Sequence, residues 1–285
     1  MTVQSSYAPS LTRSEIIGAA GQLIQRYIEI RGCQYVDRVG IDFDDVYNTV
    51  IYPEYEIGLV EDEGLGFDCK ENRILGRFDV ASNTAYVDAS LRIGTGDPRR
   101  AFTCWHEVGG HGVLQGAWLR DRLRLHSAPS SIITTDAALT PATESVLKRH
   151  ANVFTVNAAA SLWLVQREIV RVFNSSHPFR YCGPCRYGFE VHGRYLTHYV
   201  GDFDELCSWI ACHIKKKFWG LFTEAVSNRA KESGFVRVIK RNSRSVGKVD
   251  GTVPRISLQR VETRRWRSTR RTPRRLHAGS PSYAS

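Results

Sequence analysis

Apolar residues recur at three- and four-residue intervals between positions 12 and 32, where Ile16, Ile17, Ala20, Leu23, Ile24 and Tyr27 form one stripe. The chain is therefore expected to open on an amphipathic helix. From 41 to 91 the repeat shortens, and runs at 50–57, 74–80 and 84–89, punctuated by Gly, Asp and Asn, predict strands and a small sheet. Helical spacing returns with Ala101, Trp105, Val108 and Leu114, behind Asp97 as N-cap and Pro98 in the first turn. Residues 120–140 mix Arg, Ser, Pro and Thr with weak periodicity and predict an exposed loop or partial lid. One long helix is expected over 141–173, and shorter ones over 204–217 and 223–233. The fold class these elements predict is α+β: a mostly helical domain with a small sheet on its N-terminal side.

Charge divides the chain. The whole sequence of 285 residues carries +10, yet residues 240–285 hold 13 Lys or Arg against 2 acids, so residues 1–239 sum to about −1. The basicity is a tail rather than a patch on the domain. Ser, Pro, Thr and Arg dominate that tail, which predicts disorder and sequence-independent contact with nucleic acid through counterion release. Two units are thus expected, a domain over 12–238 and a basic tail over 239–285. No apolar run is long enough to span a membrane, and the opening residues lack a basic head and an apolar core, so nothing predicts secretion. Seven dispersed cysteines in a chain of this size fit a reducing compartment, and the cytoplasm is the expected location.

One stretch specifies a chemistry. Phe-Thr-Cys-Trp-His-Glu-Val-Gly-Gly-His-Gly, residues 102–112, reads as a His-Glu-x-x-His pattern on a helix, with His106 and His111 one turn apart on one face. Two imidazoles so placed can hold zinc, and Glu107 would be the general base that takes a proton from bound water. Three glycines count against a stable helix there, each costing about 1 kcal/mol relative to alanine. His126 and Asp136, in the loop, read as solvated.

The lead-in Arg99-Arg-Ala-Phe-Thr before that pattern resembles the ImmA/IrrE family of metallo-endopeptidases. Further stretches match in the family's order: Gly40-Ile-Asp-Phe-Asp-Asp-Val, Leu75-Gly-Arg-Phe-Asp with Thr84-Ala-Tyr-Val-Asp, Ala151-Asn-Val-Phe, and Phe222-Thr-Glu-Ala-Val-Ser-Asn-Arg. The first resembles a strand-to-helix entry, and the next two resemble the paired strands before the active-site helix. The likeness covers about residues 12–238. It implies a zinc-dependent endopeptidase whose substrate is a protein, typically a transcriptional repressor, held as an added edge strand. In the family a glutamate three residues before the Ala-Asn pair is the third zinc ligand, but that position here is Lys148, whose ammonium cannot ligate a cation. Glu144, one turn earlier on the same face, is the preferred substitute, whereas His150 points about 160° away from Lys148. The alternative is a catalytically inactive family member that binds a repressor or DNA.

Two other features are weighed. Cys182-Gly-Pro-Cys185 copies a redox dithiol but sits between turn and strand, not at a helix start. A structural zinc formed with His192 and His198 would need a longer gap, so a turn with two reduced thiols is the reading taken. Lys215, Lys216, Lys217, Arg229 and Lys231 read as the solvated faces of two closing helices, with a DNA-reading helical pair as the rival.

Overall fold

Thr12 starts the first helix, α1 (Arg13–Arg31), with a reciprocal cap: its hydroxyl accepts from the Glu15 N–H, and the Glu15 carboxylate accepts from the Thr12 N–H. The expected stripe is its buried face, Ile16, Ala20, Leu23, Ile24 and Tyr27. This computed structural model describes residues 11–92, 99–125, 130–135, 146–218 and 220–239. Over the described residues the chain is a mixed α/β protein, 57% helical, in which small sheets sit among helices. Among the described residues no helix is long and apolar enough to cross a membrane.

After α2 (Cys33–Val39), the run at 50–57 is helical, not a strand. It belongs to a continuous helical segment of α3 (Phe43–Val46), a π-helical turn (Tyr47–Ile51) and α4 (Tyr52–Tyr55). The reason lies upstream: Phe43, Val46, Val50 and Ile51 are all buried, and their spacing is a helical repeat that starts before position 50. A helix, α2, also precedes Gly40 where a strand-to-helix entry was expected. β1 (Gly58–Val60), β2 (Ile74–Asp79) and β3 (Thr84–Val87) then build a sheet with β4 (Ser131–Thr135), in the order β1-β3-β2-β4. β1 runs parallel to β3, and the other pairs are antiparallel. β4 therefore replaces part of the loop expected over 120–140, and α6 (Gly116–Arg124) takes its beginning.

The single helix expected over 141–173 is two, α7 (Val146–Ala159) and α8 (Leu162–Phe173), broken at Ser161, whose hydroxyl back-bonds to the Asn157 carbonyl at 3.1 Å. β6 (Cys185–Val191) and β7 (Arg194–Val200) form a hairpin, and β5 (Phe179–Tyr181) pairs with β8 (Val236–Val238). α9 (Phe203–Ile214) and α10 (Thr223–Glu232) match the expected closing helices. Trp105, Tyr27, Phe78 and Phe154 fill the core around the segment that carries the histidines. The basic tail, from 240 on, lies outside the described residues.

Candidate metal centre

Three residues, Val108, Gly109 and Gly110, separate Glu107 from His111, where the His-Glu-x-x-His pattern has two, so the histidines are five positions apart, not four. In an α-helix of about 3.6 residues per turn that spacing would swing the two rings about 140° apart. The backbone absorbs the extra residue. α5 (Arg99–Cys104) runs into a π-helix, Trp105–Leu114, whose i→i+5 bonds stack residues five apart along one face. The imidazoles consequently meet edge to face, with ring centroids 4.8 Å apart and planes at 83°.

His106, Glu107 and His111 each offer a ligand atom, and these atoms lie within 4.8 Å of one another. All three residues are buried. Both nitrogens of His106, Nε2 of His111 and both Glu107 oxygens find no hydrogen-bond partner among the described residues. Buried polar atoms without partners are costly and call for an explanation, and a cation among them supplies one. His111 is already oriented for that task. Gln115 donates through Nε2 to the Leu147 carbonyl at 2.8 Å, which leaves its Oε1 to accept from His111 Nδ1 at 2.8 Å. The proton is thereby fixed on Nδ1 and the Nε2 lone pair faces the cluster. Gln115→Ala is expected to weaken metal affinity about 10- to 100-fold with the fold retained, measured by competition with a metal indicator.

The electrostatics fit a cation rather than three bare groups. Burial pushes the Glu107 carboxyl up to about 8, opposed by the neighbouring Thr134 hydroxyl and by Lys148. Thr134 approaches that carboxylate without making a hydrogen bond of normal geometry. Burial also pushes His111 down to about 4 and holds His106 well below the usual imidazole range, with Lys148 acting on both in the same sense. Neutral imidazoles are the form that ligates, and a cation would draw the proton from Glu107.

The glycines that weigh against a helix have a packing role. A Cβ on Gly110 would stand 2.4 Å from the Ala151 Cβ and 2.6 Å from its Cα, so α7 can lie this close only against glycine. On the other side, a Cβ on Gly76 would stand 2.6 Å from a Glu107 oxygen. β2 therefore abuts the carboxylate, and its outer side is covered by β4, so an added peptide strand does not find β2 free. Gln115, Thr134 and Gly76 were not foreseen. None of the three left a signal in the sequence, since even Gln115, four residues beyond His111, takes its meaning from the Leu147 carbonyl.

Lys148 stands where the family likeness puts a ligand, close enough to act on His106, Glu107 and His111 alike. Glu144, His126, Asp136 and the Asp97–Pro98 cap lie outside the described residues. His150 does not join the cluster, and neither do Cys182, Cys185, His192 and His198 form one among the described residues. Cys182 instead lies at the turn before β6, its thiol 3.6 Å from the Tyr187 hydroxyl. No family model matches the chain, and no curated protein or solved structure matches it.

Proposed function

We propose that the chain is a zinc-dependent endopeptidase of the ImmA/IrrE kind, acting on a protein such as a transcriptional repressor. The observation that carries the reading is the convergence of buried His106, Glu107 and His111, each with a ligand atom, His111 through Nε2, that has no hydrogen-bond partner among the described residues. When bound, zinc supplies a Lewis acid and lowers the pKa of its water to about 7. Glu107 would act as the base toward an attacking water and return the proton to the departing amine, a role that burial favours by raising its basicity. Gln115 holds His111 in its ligating tautomer, and the buried surroundings exclude competing water. Incubating the full chain and zinc with a mixture of unstructured peptides tests this, with cleavage expected and loss of cleavage on chelation.

Lys148 favours a second reading, a silent descendant that binds its target without cutting. Its ammonium acts electrostatically on all three cluster residues, and a cation beside a metal site repels the metal. Under this reading Lys148→Glu raises zinc affinity and creates hydrolysis that the natural chain lacks. Under the first reading the natural chain already cleaves, and Glu144→Ala removes both metal and cleavage.

A further inference from the structure

β5 and β6 are joined by Cys182, Gly183 and Pro184, and this joint folds over one side chain. Tyr187 of β6 is buried, and its hydroxyl reaches back to donate to the Gly183 carbonyl at 2.6 Å and to accept from the Cys182 N–H at 3.0 Å. Gly183 takes a φ of +120°, a backbone conformation that residues with a Cβ rarely adopt. Pro184 fixes its own φ. The segment therefore wraps the tip of the Tyr187 ring, against which Tyr181 stacks with centroids 6.0 Å apart and planes at 18°.

Two sulfurs meet at that tip. The Cys182 Sγ lies 3.6 Å from the Tyr187 hydroxyl oxygen. Cys185 stands two residues before Tyr187 and so shares its face of β6, and its thiol interacts with the same hydroxyl. Sulfurs that share one oxygen are neighbours, which meets the first requirement of a disulfide, that the two side chains converge. Access is the second requirement. Cys182 and Cys185 are free thiols and partly exposed, whereas Cys104 and Cys207 are buried. A Cβ built on Gly183 would meet nothing within 4 Å, so the segment between the two thiols is open to a small reagent. A redox catalyst would want a thiol at a helix start, which this joint lacks, but reversible oxidation needs only proximity and access.

We propose that Cys182 and Cys185 form a reversible dithiol–disulfide pair, a modification site oxidised by low-molecular-weight disulfides of the glutathione class. One thiolate attacks the small disulfide, forming a mixed disulfide and releasing one small thiol. The other thiolate then attacks the protein sulfur of that mixed disulfide, which closes the Cys182–Cys185 bond and releases the second small thiol. The pair gives up two protons and two electrons, and these reduce one small disulfide to two small thiols. The site is independent of the metal centre.

Equilibration of the full natural chain across a series of reduced-to-oxidised glutathione ratios tests it, with chelator present so that no ion occupies the thiols. Acid quenching, alkylation and peptide mapping then read each of the seven cysteines separately. Cys182 and Cys185 are expected to be lost together from alkylation and found joined to each other, with a larger fraction joined at each ratio than in the same chain unfolded in urea. Excess dithiothreitol is expected to restore both thiols. Cys185→Ser is expected to divert the product to a single glutathione on Cys182, because the thiol that would displace it is gone. Both thiols staying open to alkylation at every ratio, glutathione adducts at either position with no bond between them, or a joined fraction no larger in the folded chain than in urea overturns the proposal.

Discussion

Glu107→Gln is expected to lower peptide hydrolysis about 10²- to 10⁴-fold, the usual contribution of a positioned general base, while zinc remains bound through the two imidazoles. The substitution keeps the volume of a fully buried side chain and removes the one group in the cluster able to accept a proton near neutral pH. Hydrolysis rates and metal content measured on the same preparation separate loss of the base from loss of the site. A variant that loses metal in proportion to activity would show that Glu107 is a ligand, since its oxygens lie close enough to both rings for that role.

Gly110→Ala is expected to destabilise the fold by about 1–3 kcal/mol through overpacking, which lowers the melting temperature by about 2–4 °C for each kcal/mol in a domain of this size. Two effects compete. Alanine is the better helix former by about 1 kcal/mol, but its Cβ would lie 2.6 Å from the Ala151 Cα, a backbone atom that cannot turn aside. The clash prevails, and α7 has to retreat from the π-helix with Lys148 and Asn152 on it. A melting temperature that rises in the variant would mean that the glycine is incidental and that α7 is not pressed against the site.

These expectations show how far the residues speak before the fold is known. The first helix is legible to within a residue because its stripe, its Thr12 cap and its Glu15 partner all agree. The closing helices are equally plain. The histidine segment is legible as a metal-binding candidate but not in its geometry, because a five-residue spacing suits an ion only if the helix widens, and no local propensity announces a π-helix. Residues 50–57 mislead for a related reason: a window opened at Val50 shows an apolar run, whereas one opened at Phe43 shows a helical repeat. β4 could not be read because a five-residue strand with weak alternation gains its stability from pairing with β2. Gln115 is legible only in retrospect, as its meaning depends on the Leu147 carbonyl, 32 positions along the chain.

Metal analysis of the purified full chain after exposure to zinc and removal of excess bears most directly on whether a cation belongs between His106, Glu107 and His111. The expected result is close to one zinc per chain in the natural sequence and none in a folded His111→Ala variant. A natural chain that retains no zinc, or a His111→Ala chain that retains as much, contradicts the account, and the buried cluster would then be a polar core around Lys148.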